Sequence, residues 1–289
     1  MQTVQATLAA AIAAAILLLS PTAGSAAEKS NVVLTITIDD AIGPATADYV
    51  KDALAKANER HAEAVILRLN TPGGLVTSMR AIIADVLASP VPVIGYVAPS
   101  GAHAASAGTY ILYATHIAAM APGTNLGAAT PVQIDSPIPG LPGSSPDKSS
   151  KGKDDNTHQP EPKDAMAAKV TNDAVAFIRS LAELRGRNAD WAEKAVREAA
   201  SLSASAALQA NVIDLIASNP ADLLKQIDGR TVEVAGGETR RLATKDAAIQ
   251  ALNPGRISQF LSIITNPNVA FILLLVGIYG LIFEFMSPG

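Results

Sequence analysis

An α/β fold with a largely parallel sheet is the class this sequence predicts. Short apolar runs alternate along the chain with segments of helical period, the pattern of strand–helix–strand units. The runs end in Gly- and Pro-rich turns, which in a parallel sheet gather at one edge. At 289 residues the chain is long enough for one or two domains with a substantial core.

Asn31 to Asp39 alternates Val33, Thr35 and Thr37 against Leu34, Ile36 and Ile38, a strand. Gly43-Pro44 ends it, and Ala45 to Arg60 sets Tyr49, Val50, Ala53, Leu54 and Ala57 on one helical face. A second strand, Ala64 to Leu69, runs into Asn70-Thr71-Pro72-Gly73-Gly74. A helix over Val76 to Ala88 leads to a third strand, Val91 to Ala98, closed by Pro99-Ser100-Gly101. A helix from Thr109 to Ala114 and a strand from Ile117 to Ala121 follow. From Asp135 to Pro162 the chain is Pro, Gly, Ser, Lys and Asp with few apolar residues, so a mobile loop is expected. Helices are predicted over Asp164 to Leu184, Asp190 to Ala199 and Ser203 to Ala210, the last with Ser203 as N-cap. Val212 to Ile216 reads as a late strand, Ala221 to Ile227 as a helix and Gly229 to Leu242 as a polar hairpin.

Both ends point to a membrane. Leu8 to Leu19 is apolar and Ala23-Gly24-Ser25-Ala26-Ala27 is small, the pattern of a signal peptide over 1–27, although no Lys or Arg precedes it. Phe260 to Ile264 and Val269 to Phe283 are almost continuously apolar, which predicts a membrane-associated segment over 257–289 with a transmembrane helix at about 269–286. The stretch 229–256 reads as a connector. Hydrophobic residues make up 49% of the chain, in keeping with such ends. A net charge of −4 without a basic stripe gives no case for nucleic acid. The absence of Cys excludes disulfides, Cys-ligated zinc and thiol catalysis, and no cofactor or metal is called for.

The chemistry concentrates in Ser100 to Tyr110. Ser106 stands among small residues where a strand gives way to a helix, and a helix N-terminus offers unpaired N–H groups to a developing oxyanion. The same run also reads as tight helix–sheet packing. Gly73-Gly74, after the preceding strand, has N–H groups with no Cβ in the way. For a base, His103, His116, His158 and Lys163 offer little. Lys169 lies among Met166, Ala167, Ala168 and Val170, and apolar surroundings disfavour the ammonium, as a general base requires. A lysine snorkelling from an amphipathic helix is the other reading.

Leu69 to Leu75, Ala104 to Tyr110 and Lys169 to Ala174 resemble the NfeD family, specifically its membrane-bound serine protease form with a ClpP-like, crotonase-type domain. The resemblance extends through Gly186 to Asn188, Ala210 to Asp214 and Asn266 to Gly289. It implies a ClpP-like domain over 31–228 with a Ser–Lys dyad, in which Ser106 is the nucleophile and Lys169 the base. Backbone N–H groups of Gly74, Ala107 and Gly73 would form the oxyanion hole. It further implies a homodimer or higher homo-oligomer that cleaves apolar segments of stomatin-like membrane proteins. The protease domain is expected on the extracytoplasmic side of a bacterial-type membrane. A non-catalytic scaffold for such a partner is the alternative. The polar 135–162 loop departs from the family pattern, and the family continues with further spans where this chain stops.

Overall fold

The structure, a computed structural model of the chain, describes residues 31–131, 162–255 and 267–286. The leader expected over 1–27 and nearly all of the 135–162 loop lie outside the described residues.

Six parallel strands form the central sheet. They are β1 (Val32–Asp39), β2 (Ala64–Asn70), β3 (Val93–Val97), β5 (Ile117–Met120), β8 (Leu215–Ile216) and β11 (Ala248–Ala251), in the order β11-β1-β2-β3-β5-β8. Every side chain of β3 is buried, and so are the first four of β2, as expected of parallel strands covered on both faces. The β11 strand comes from the stretch read as a connector, so that stretch completes the sheet edge beside β1. The late strand is two residues long because Asn211 turns with φ 56° and the Asp214 carboxylate accepts the Ala118 N–H (2.6 Å).

Alternation divides the sheet between two apolar layers. Leu34, Ile36, Leu67, Leu69, Val97 and Met120 face one layer, which is shared with α1 (Pro44–Glu59), α2 (Val76–Leu87), α3 (Ala107–Ala114), α4 (Pro162–Leu184), α5 (Ala189–Arg197) and α6 (Ala204–Gln209). Val33, Ile66, Ile94, Tyr96 and Ala119 face the other, against α7 (Pro220–Ile227) and Leu242. Local signals start the helices. Pro44 opens α1, the Ser203 hydroxyl accepts from Ala206 N–H (3.5 Å), and Asn188 and Asn219 cap α5 and α7. The polar hairpin forms from β9 (Thr231–Glu233) and β10 (Thr239–Arg241).

A second sheet of three short strands decides where the loops go: β4 (His103–Ala105), β6 (Asn125–Gly127) and β7 (Ser201–Ser203), in the order β4-β6-β7. Strand β4 intervenes between β3 and the serine junction, where the sequence reading has only a loop. A bridge between Thr71 and Ala104 ties β4 to the end of β2, with Thr71 N–H on His103 O (2.7 Å) and Ala105 N–H on Thr71 O (3.0 Å).

At the C-terminus α8 (Pro267–Met286) has the expected extent, and its large apolar side chains from Phe271 to Met286 are exposed. The expected transmembrane span is corrected: among the described residues no helix is long and apolar enough to cross a membrane. Glu284 falls inside α8, near its end.

Candidate active site

Ser106 is the residue immediately before α3 and has φ 51° and ψ −118°. A side chain in that region costs about 1–3 kcal/mol unless its surroundings hold it there. They do hold it. Its N–H donates to Gly127 O (2.9 Å), and its carbonyl accepts the Thr109 N–H (2.9 Å). The Thr109 hydroxyl lies within hydrogen-bonding distance of Ala104 O (2.9 Å), Gly127 O (3.0 Å) and Gly127 N (3.1 Å), which ties the strand before Ser106 to β6. All eight residues of α3 are buried, so the helix behind the serine is fixed by packing.

The Gly73-Gly74 turn comes to this serine because Thr71 pairs with β4. Ile42 N–H donates to Gly73 O (2.8 Å) and Leu75 N–H to Ile42 O (2.8 Å), so the turn also lies against the end of β1. A Cβ on Gly74 would stand 2.1 Å from Ile42 O. A Cβ on Gly73, where φ is 118°, would stand 2.6 Å from Ser106 Cβ. Glycine is required at both places.

Among the described residues, the N–H groups of Gly74 and Ala107 have no acceptor. The Gly73 N–H donates to Thr71 Oγ1 (3.1 Å). The Gly73 donor, expected in the oxyanion hole, is thus engaged within the turn, whereas those of Gly74 and Ala107 are not.

A cleft of about 440 Å³, including its open mouth, lies in front of these groups. Gly74, Ser106 and Ala107 are at its base; Met79, Tyr110, Val170, Ala174 and Phe177 supply apolar walls. Tyr110 and Phe177 stack with ring centroids 6.2 Å apart, and the Tyr110 hydroxyl donates to Ala129 O (3.1 Å). Burial holds the Tyr110 phenol well above its usual range, so it stays protonated. At the rim Arg80 Nη2 pairs with Asp173 Oδ2 (2.5 Å), and Arg80 Cζ lies 4.2 Å from the centre of the Phe177 ring.

Lys169 is not where the sequence reading has it. It is exposed, as are residues 165–168, and it is absent from the lining of the cleft. No hydrogen bond joins it to Ser106 among the described residues. The apolar setting expected from Met166, Ala167 and Ala168 is therefore missing, because residues 165–169 are exposed. Val170, its neighbour, does line the cleft.

Among the described residues no histidine lines the cleft. His103 is half-buried in β4. His116 is buried at the start of β5, with Nδ1 accepting the Val93 N–H (3.0 Å). His158 lies outside the described residues. Arg80, Asp173, Phe177 and Thr71 are site residues that the sequence reading missed. The spacing of Asp173 and Phe177, i and i+4 on one helix, was the available signal.

The comparisons with known proteins agree with this fold. The profile described as NfeD1b, N-terminal domain, matches residues 32–142. Over 264 residues the chain is 36% identical to the membrane-bound protease PH1510 of Pyrococcus horikoshii, covering 90% of this chain and 54% of that one. A lysine-to-alanine variant of the 1510-N membrane-bound stomatin-specific protease, solved with a substrate peptide, matches with TM-score 0.67 and 32% identity. That match covers 82% of this chain and 99% of the solved one. A serine-to-alanine variant of the same protease matches with TM-score 0.65 and 33% identity, over 78% and 99%. The chain belongs to the NfeD family. It spans about half the length of the curated relatives it matches.

Proposed function

We propose that this NfeD chain is a membrane-associated serine endopeptidase of the Ser–Lys type, acting on apolar segments of a stomatin-like protein. The observation that carries the reading is Ser106, held at positive φ before a buried helix, with the N–H groups of Gly74 and Ala107 beside it in an apolar cleft. Ser106 Oγ would attack the scissile carbonyl while neutral Lys169 takes its proton and returns it to the leaving amine. Gly74 and Ala107 would hold the oxyanion. The existence of separate serine and lysine variants of the 1510-N protease supports both roles, and the stomatin specificity of that protease supports the substrate class.

For the base to work, Lys169 has to leave solvent and reach the cleft. Pairing of two copies, or substrate itself, would cover the start of α4. Association with lipid fits the exposed apolar side chains of α8, with the protease domain on the extracytoplasmic side. One observation favours the alternative of a non-catalytic scaffold for the same partner: the exposed Lys169, away from Ser106.

Fluorophosphonate labelling of the detergent-purified chain tests the reading. Labelling at Ser106 that is lost in Ser106→Ala and Lys169→Ala, both still folded, supports the dyad. A folded wild type that takes no label, yet captures a stomatin-like protein, favours the scaffold.

A further inference from the structure

We infer that Arg80 is a positioning residue for the base, acting through the helix that carries it. The inference rests on the Ser–Lys reading and adds to it the device that keeps the helix carrying the base against the cleft. Lys169, Asp173 and Phe177 are four apart along α4 and so share one strip of its surface. Arg80, on α2, grips that strip at two points: its guanidinium pairs with the Asp173 carboxylate and lies over the Phe177 ring. Lys169 stands one turn, about 6 Å, beyond Asp173 on the unpacked side.

The other end of α4 is held differently. Arg179 Nη1 bonds Asp190 (3.1 Å) and Glu193 (2.9 Å) of α5, and Ile178, Leu181 and Ala182 are buried in the core. Towards its start, Asn172 receives Arg197 Nη2 (3.1 Å) from α5. Among the described residues, the only ion pair that draws the Lys169 end of the helix toward α2 and the Gly73-Gly74 turn is Arg80–Asp173. The pair is half-exposed, with side chains 41% and 69% accessible, so it adds little to stability. Its consequence is geometric. A helix start that swings away from α2 takes Lys169 away from Ser106, whereas the serine and the oxyanion donors stay in place.

Inactivation kinetics with a small alkyl fluorophosphonate read this directly on the full chain. Arg80→Gln and Asp173→Asn are each expected to lower the maximal inactivation rate about tenfold, with unchanged half-saturation and unchanged thermal unfolding. Arg80→Lys, which keeps the charge on Asp173, is expected to recover most of the loss. An unchanged maximal rate in both Arg80→Gln and Asp173→Asn overturns the inference. So does a weaker half-saturation with the rate intact, which would make Arg80 a wall of the cleft. Lys169→Ala runs beside them. If it reacts like wild type, the Ser–Lys reading has failed; if it is inert while Arg80→Gln and Asp173→Asn react normally, only the positioning role has failed.

Discussion

The two halves of the candidate site are built in opposite ways. Ser106 and the Gly73-Gly74 turn belong to the core: β4 pairs with the end of β2, Thr109 ties the strand before Ser106 to β6, and glycines fit where any Cβ would collide. Lys169 belongs to the surface, on helical turns with exposed side chains, held toward α2 through one partly exposed ion pair. The difference teaches that the proposed nucleophile and oxyanion donors are preorganised by folding itself, whereas placement of the proposed base is free to depend on whatever covers α4. On the proposed reading, every copy keeps its strained serine, and the chemistry is completed only when the second half is brought in.

The sharpest way to break the first half is Gly74→Ala. Its Cβ would meet Ile42 O at 2.1 Å, so the turn must move off the end of β1 and carry its N–H away from the cleft. Loss of one oxyanion donor costs about 10²–10³ in rate, so labelling of Ser106 should fall by at least about a hundredfold. Fluorophosphonate kinetics measure it. A variant that labels within a fewfold of wild type would mean that Gly74 is no part of an oxyanion hole.

The contrast between the halves also explains what the sequence could reveal. The parallel sheet was legible because its strands are buried on both faces and carry unbroken apolar runs such as Ala64 to Leu67. The helices were legible from period and from caps such as Ser203 and Asn219. Ser106 and Gly74 could be named because strand–helix junctions and glycine pairs are local signals. The three-residue strands β4, β6 and β7 carry no such signal, since they are defined by pairing between distant segments. The same holds for β11, whose Ala248 to Ala251 is short and exposed. The commitment of the Gly73 N–H to Thr71 needed coordinates. Lys169 misled because apolar neighbours in sequence became apolar surroundings only on paper: on a helix, residues 166–168 point in three directions, and here all are exposed.

Arg187→Met strikes the same core half from a distance. The Arg187 guanidinium donates through Nη1 to the carbonyls of Leu112 (3.2 Å), Tyr113 (2.8 Å) and Thr115 (3.0 Å), and through Nη2 to Asp214 (2.8 Å). It therefore satisfies the end of α3 opposite Ser106, where a helix leaves carbonyls unpaired and favours a cation. Its removal takes a donor from the Tyr113 and Thr115 carbonyls and leaves the Asp214 carboxylate without its charge partner, a loss of about 3 kcal/mol. Urea unfolding should show a midpoint lowered accordingly, and Ser106 reactivity should fall with it. Equal stability of variant and wild type would show that α3 does not depend on this anchor.

The last effect expected is confined to acid pH, and it again singles out the core half. His116, at the foot of α3, is held neutral, its pKa pushed down from 6.5 to about 3 by burial and then by the Arg185 guanidinium. Val93 N–H donates to Nδ1, so the proton of the neutral ring sits on Nε2, which has no partner among the described residues. In the unfolded chain this imidazole takes up a proton near pH 6.5, and in the native protein it does not. Its contribution to stability is therefore complete above about pH 6.5 and is lost as pH falls from there toward 3, by at most about 1.4 kcal/mol per pH unit. In His116→Asn the amide oxygen can still accept from Val93, and the titrating group is gone. The unfolding free energy of that variant should fall less steeply between pH 6.5 and pH 4 than that of wild type. Parallel curves would mean that His116 is protonated in the folded protein, and that the core behind Ser106 tolerates a charge its burial argues against.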